Sequence, residues 1–242
     1  MSARAPGKRK IGRRRPRKRG GRRWVRRLAL LLGGVIAGYF ALSVLVLAAY
    51  RWVDPPTTGV QVQRRIESWL SDGAYRKRYR PVPSSRISPH LLHAVVAAED
   101  SRFFEHGGID WRAVGDAIED TRRGRPRGGS TVSQQLAKNL FLTTHSSWWR
   151  KSLELPLTYL TEAVLDKDRI LELYVNVAEW GPNGVFGAEA AARHHYGVPA
   201  AALTREQASR LAACLPAPRR RVPARMDRYA AIIEQRMARM GW

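Results

Sequence analysis

The sequence predicts a mainly α protein carried on one N-terminal transmembrane helix. Three observations predict it. An uncharged apolar run lies near the N-terminus, capped helical patterns follow one another from Ser88 onward, and no convincing strand-like alternation or internal repeat occurs.

Charge is the first feature to place. The 242 residues hold 43 Lys+Arg against 20 Asp+Glu, a formal net charge of +23. Residues 1–27 contain 14 of those basic residues and no acid, in runs such as Arg13-Arg14-Arg15. So polar a tail cannot bury enough apolar surface to order itself and is expected to be disordered. Residues 28–242 retain a net charge of only +9. The lone Cys214 excludes an intramolecular disulfide framework and any multi-cysteine metal site.

Leu28 to Tyr50 is a run of 23 residues without a charge. At about 1.5 Å per residue such a helix spans roughly 34 Å, enough for a bilayer core. A cleaved signal peptide is the rival reading, but its apolar region is normally only about 7–15 residues. The basic flank is N-terminal, so the positive-inside rule leaves residues 1–27 in the cytoplasm and puts everything after Tyr50 on the far side. For a bacterial protein this means a single-pass inner-membrane anchor with a periplasmic domain. The basic tail then reads as a topology signal held against anionic lipid. Nucleic-acid binding is disfavoured, because no aromatic residues are interleaved for base stacking.

The exported part follows in order. Asp54-Pro55-Pro56 breaks any helix, and residues 51–87 read as a juxtamembrane connector with a short amphipathic stretch (Val62, Ile66, Trp69, Leu70). Residues 88–242 form the predicted helical domain. Ser88-Pro89 opens a helix as N-cap and first-turn proline, with Leu91, Leu92, Val95 and Val96 on one face and Gly107-Gly108 as its end. Asp110 to about Arg122 is the next helix, and a basic loop separates it from a third opened by Ser130. A long helical region runs from about Trp148 to Asn176, expected to kink near Pro156. Thr204 and Gln207 have capping-box spacing ahead of Ala208, Leu211, Ala212 and Leu215.

Three clusters carry chemistry. Glu99 and Asp100 close an apolar helix, with Phe103, Phe104, His106 and Asp110 beyond them. Desolvation there raises a carboxyl pKa and makes Glu99 an effective general base, with Phe103 and Phe104 as a low-dielectric wall. The bland alternative is a solvated helix end. In Gly128-Gly129-Ser130-Thr131-Val132-Ser133-Gln134-Gln135-Leu136-Ala137-Lys138-Asn139, Val132, Leu136 and Leu140 point inward at i, i+4, i+8, while Thr131, Gln134 and Lys138 share a neighbouring face. A glycine turn opening a helix presents free N–H groups to a phosphate, and Lys138 adds a point charge. A plain capped surface helix is the competing account. In Arg150-Lys151-x-x-Glu154 the three side chains meet on one helix face. They form either an ordinary ion pair or a cationic clamp on a diphosphate with a second carboxylate beside it.

Taken in order, these clusters and Lys167-x-x-Ile170-Leu171-Glu172-x-Tyr174-x-Asn176 resemble the peptidoglycan glycosyltransferase family that polymerises lipid II. Tyr174 to Gly181 and Gly184 to Ala192 look like its monofunctional biosynthetic branch, and the resemblance covers about Ser88 to Pro218. It implies a lysozyme-like helical fold. It also implies inverting transfer from a lipid diphosphate donor, which releases undecaprenyl diphosphate. On this resemblance Glu99 is the general base and Glu154 the second catalytic glutamate, while Lys138, Arg150 and Lys151 lie near the diphosphate. Asp100, Ser130, Gln134, Gln135 and Asn139 complete the substrate-binding set. No cofactor is implied beyond a divalent cation (Mg or Mn) bridging the diphosphate. The implied partners are lipid II, the growing glycan chain, membrane lipid and cell-division proteins.

One position departs from the pattern. Where relatives often carry an arginine about four residues before the Arg-Lys pair, this sequence has Ser146. His145 or a residue of the 122–127 loop replaces it, or donor binding is weaker. No lysine has a serine three residues before it, so no Ser-x-x-Lys transpeptidase motif is present. A lysozyme-like hydrolase and a non-enzymatic division scaffold are the rival functions. The diphosphate clamp argues against the first, and intact Glu99 and Glu154 against the second. His90, His93, His194 and His195 lack a third ligand at zinc spacing and read as helix-surface residues.

Overall fold

The computed structural model describes residues 19–71, 75–124, 128–145 and 147–242, apart from the side chains of residues 19–22, 148 and 149. The tail before residue 19, Ser146, residues 125–127 and the Trp148 and Trp149 side chains therefore lie outside what is described. By contact the chain divides into two units, Met1–Ala41 and Leu42–Trp242, with the boundary inside the first helix.

Helix α1 runs Arg19–Ala49. Its segment Arg23–Ala49 is long and apolar enough to cross a membrane, with a mean hydropathy of 2.4. Leu28, Leu31, Leu32 and Val35 are exposed, as lipid-facing residues would be. That much of the expected anchor is in place.

The second unit is mainly helical: α2 (Gly59–Leu70), α3 (Pro89–Glu99), α4 (Trp111–Arg122), α5 (Val132–Phe141), α6 (Trp148–Val164), α7 (Lys167–Val177), α8 (Ala188–Tyr196), α9 (Arg205–Ala212) and α10 (Asp227–Arg239). Helix α3 is apolar nearly all round, and such a helix is stable only when buried. It packs against α9 and α10, while α5 packs against α6 and α7. Leu91 and Val95 of α3, Leu136 of α5, Ile170 and Leu173 of α7, Leu211 of α9 and Ile233 of α10 are all fully buried in one core.

Several sequence expectations need correction. A small sheet exists, with β1 (Arg78–Tyr79) parallel to β3 (Val185–Phe186), and β3 antiparallel to β2 (Glu179–Gly181) across a register shift. Strands of two or three residues are too short to show alternation, so no pattern search could find them. Helix α3 ends at Glu99, not at Gly107-Gly108, because Asp100 leaves helical geometry and its carboxylate accepts the Val132 N–H at 3.0 Å. Ser88 precedes α3, but its hydroxyl donates to the Leu203 carbonyl instead of capping the helix. The long region expected from Trp148 divides at Leu165 and Asp166, where Asp166 caps α7, and α6 continues through Pro156. Helix α5 is capped by Thr131, not Ser130.

Residues 51–87, read as a connector, are woven into this unit. A Cβ at Gly59 would lie 2.5 Å from the Leu142 carbonyl oxygen, so α2 seats directly on the end of α5. Arg64 pairs with Glu179 at 2.9 Å, and the Asn176 amide both donates to and accepts from the backbone of Val82. Glu172 accepts the Ser84 N–H, so Glu172 and Asn176 together hold the 82–84 segment against α7. The Thr204–Gln207 capping box is found as its spacing predicts, and Cys214 is buried.

Asp110 illustrates how one residue ties local to tertiary structure. It caps α4 through the Ala113 N–H at 2.9 Å and takes a two-pronged hydrogen bond from Arg102. The Arg102 guanidinium, helped by the Ala113 N–H against the effect of burial, holds its carboxyl down at about 2. Asp110→Ala is expected to lose about 1–2 kcal/mol of stability from the cap alone. A depressed carboxyl contributes stability above its unfolded pKa near 4, and that contribution is lost as pH falls through about 2. Thermal melts of both proteins should therefore converge over that acid window; a constant gap would contradict the assignment.

Candidate active site

Glu99 is the last residue of α3 and lines a cleft of about 440 Å³ with Ser130, Gln135, Arg221, Tyr229 and Arg236. Burial pushes its carboxyl pKa up. The Gln135 amide, Lys138 and Arg221 pull the other way, and burial prevails. Gln135 Nε2 donates to Glu99 Oε2 at 2.7 Å. Neither phenylalanine of the expected wall is among the residues lining this cleft: Phe103 is fully buried and Phe104 is 51% exposed. Phe103 meets His106 and the Lys167 ammonium.

Helix α5 supplies the next layer. Gln135 and Lys138 are three residues apart, which places them on one face. Lys138 is half-buried, and desolvation lowers its pKa. Attraction to Glu154 and to Glu99 opposes that, while Arg150 and Lys151 reinforce it. Lys138 therefore sits within the electrostatic reach of both glutamates.

Glu154, on α6, is 3% exposed. Its Oε2 accepts from Arg150 Nη1 at 2.5 Å and its Oε1 from Lys151 Nζ at 2.8 Å. Arg150 also donates from Nε to the His145 carbonyl at 2.9 Å, which ties it to the loop before α6. With one carboxylate between two cations and Lys138 nearby, the cluster carries a net positive charge. It can receive an anion without leaving any of its own charges unpaired.

The other anticipated site residues divide. Ser130 is exposed at the cleft and Gln135 contacts Glu99. Gln134 closes the Thr131 capping box and is 4% exposed, so its amide serves the helix end. Asp100 is buried and engaged with His106 and the Val132 N–H, which joins α3 to α5 and leaves little of it for substrate. Asn139 is buried and, among the described residues, makes no hydrogen bond to either glutamate. Sequence reasoning missed Arg221, Tyr229 and Arg236 from the C-terminal region, and Tyr174, whose hydroxyl donates to Gln135 Oε1 at 2.8 Å. No local signal marks the first three: Tyr229 and Arg236 reach the cleft because α10 packs on α3, and Arg221 reaches it from the segment between α9 and α10, where it also donates to the Ala213 carbonyl. Tyr174 was visible only as part of a motif.

Asp100, His106 and Asp110 bring ligand atoms within 4.8 Å of one another. They fit a metal poorly: Arg102 occupies both oxygens of Asp110, and Asp100 is shared between His106 and Val132. The set is better described as a hydrogen-bond network holding α3, α4 and α5 together. His93 stacks on Trp242 and His195 meets the Trp180 carbonyl, so both histidines pack within the fold.

A carboxylate raised by burial and facing fixed cations suits transfer of a glycosyl group from an anionic leaving group, and the chain is a glycosyltransferase. Residues 64–240 match the family model described as Transglycosylase, and the chain belongs to that family. Among its relatives is the "Biosynthetic peptidoglycan transglycosylase" of Rhodospirillum centenum, 50% identical over 217 residues, which cover 88% of this chain and 91% of the relative. The protein of the same description from Ectopseudomonas mendocina is 48% identical over 82% of this chain and 84% of its own length. That from Pseudomonas aeruginosa is 48% identical over 84% and 89%. The matched region begins within α2, consistent with the packing of residues 59–87 into the helical unit.

Proposed function

We propose that this enzyme polymerises lipid II into peptidoglycan strands, with Glu99 as general base and Glu154, Lys138, Arg150 and Lys151 at the donor diphosphate. The acceptor sugar's 4-hydroxyl attacks the anomeric carbon of the growing chain while Glu99 takes its proton. The bond from that carbon to the diphosphate oxygen breaks, and undecaprenyl diphosphate leaves from the opposite face with inversion. The observation that carries this reading is the pairing of the buried Glu154 carboxylate with Arg150 at 2.5 Å and Lys151 at 2.8 Å, while Glu99 lines the cleft at the end of α3. Negative charge grows on the departing diphosphate, and cations already in place stabilise it without reorganising. Ser130, exposed at the cleft, and Gln135 fall to the substrate-binding side.

A divalent cation (Mg or Mn) arriving with the diphosphate would add charge neutralisation through the phosphate oxygens. The chain's own three cations serve the same need. Residues 1–27 remain in the cytoplasm, residues 28–50 anchor the chain in the inner membrane, and the catalytic unit faces the periplasm, where membrane lipid and the glycan strand meet. Lacking a Ser-x-x-Lys motif, this sequence provides no transpeptidase nucleophile of that type and cross-links nothing by that route.

The test is to incubate detergent-solubilised full-length protein with lipid II and resolve the products on a gel. Long glycan strands are expected. Shortening of added glycan would point to a hydrolase, and unconsumed lipid II to a scaffold; either would overturn the proposal.

A further inference from the structure

Tyr174 stands in the middle of α7 and is 1% exposed. Its hydroxyl donates to Gln135 Oε1 at 2.8 Å, and the other end of the same amide donates from Nε2 to Glu99 Oε2 at 2.7 Å. Side chains from α7, α5 and α3 thus form one line that ends on the carboxylate. An amide has one accepting end and one donating end and can be turned over. Turned over, it would point Nε2 at the phenol and Oε1 at Glu99. The phenol oxygen would then accept, and its own proton would be left unpaired in the core, because among the described residues its hydrogen-bond partner is Gln135. The phenol keeps that proton, since burial pushes its pKa well above the ordinary value. The orientation of Gln135 is therefore set by Tyr174 and not by the protonation state of Glu99.

We propose that Tyr174 is a positioning residue for the base: it locks the Gln135 amide with its N–H toward Glu99 and so favours the carboxylate over the carboxylic acid. As a statement about catalysis this rests on the reading of Glu99 as the base. Without the phenolic hydroxyl, the amide can present Oε1 to a protonated Glu99 and N–H to an ionised one. The acid form then gains a partner it lacks in the native protein, and Glu99 stays protonated to higher pH.

Tyr174→Phe keeps the ring and its packing. In the full-length protein, the acid limb of the pH–rate profile for lipid II polymerisation is expected to move up by about half to one pH unit. Well above that limb the rate should approach wild type. A loss by the same factor at every pH, or an unmoved acid limb, would overturn the proposal. Titration of the Glu99 carboxyl carbon by NMR reads the same effect without activity: a raised midpoint in Tyr174→Phe supports it, and an equal midpoint sinks it. Failure of the base assignment would show separately, as turnover retained by Glu99→Gln. Gln135→Leu removes the link itself, and adding Tyr174→Phe to it should move the acid limb no further. A further move would mean that Tyr174 acts by another route.

Discussion

Glu99→Gln is expected to abolish glycan polymerisation while leaving the protein folded. An amide of the same shape cannot take the acceptor's proton, and general-base catalysis is worth about 10²–10⁴ in rate. The stability of the variant should move the other way. Burial raises the Glu99 carboxyl pKa, so the ionised form is held less well by the fold than by the unfolded chain. Its cost to stability is absent well below the unfolded pKa and grows as pH rises through the unfolded and then the folded value. At neutral pH the neutral amide escapes that cost, and the melting temperature is expected to stay level or rise. Fluorescent lipid II turnover and circular dichroism melts measure both halves. Near-normal strand synthesis by Glu99→Gln would end the assignment of the base.

Lys138→Met carries the second largest expectation, a fall of about 10²–10³ in turnover, comparable to removing one fixed stabilising group from an active site. Methionine keeps most of the stem and removes the charge. The loss should fall mainly on kcat, because the diphosphate's charge increases as the glycosidic bond breaks. Lys138 also draws the Glu99 pKa downward, so its removal should shift the acid limb of the rate profile to higher pH. Steady-state kinetics across pH test both effects together. A variant with normal kcat and only a raised KM would show that Lys138 binds ground state and transition state alike, and would remove it from the leaving-group role.

Much of this site was legible along the chain. The spacing of Arg150, Lys151 and Glu154 on one helical face follows from 3.6 residues per turn, and the structure pairs the two cations with the carboxylate as that spacing requires. Asp110 and Thr204 cap their helices because short polar side chains reach the free N–H groups three residues ahead. The helical character of the unit and the apolar span before it follow from the same local periodicities. The structural ties of other site side chains were less legible: Asp100 accepts the Val132 N–H from 32 positions along the chain, and Gln134 accepts the Thr131 N–H within its own helix start.

Sequence alone determined that the chain is mainly helical, which segment is apolar enough for a bilayer, and which residue types could perform acid–base and diphosphate chemistry, because those follow from neighbours within about one or two helical turns. Only the tertiary structure decided what surrounds each of them. Tyr174 meets Gln135 across 39 positions of chain, Arg236 reaches the Ala97 carbonyl across 139, and residues 59–87 prove to belong to the unit that holds the cleft. The protonation preference of Glu99 depends on that assembled environment, since burial and the direction of one amide exist only once three helices have packed.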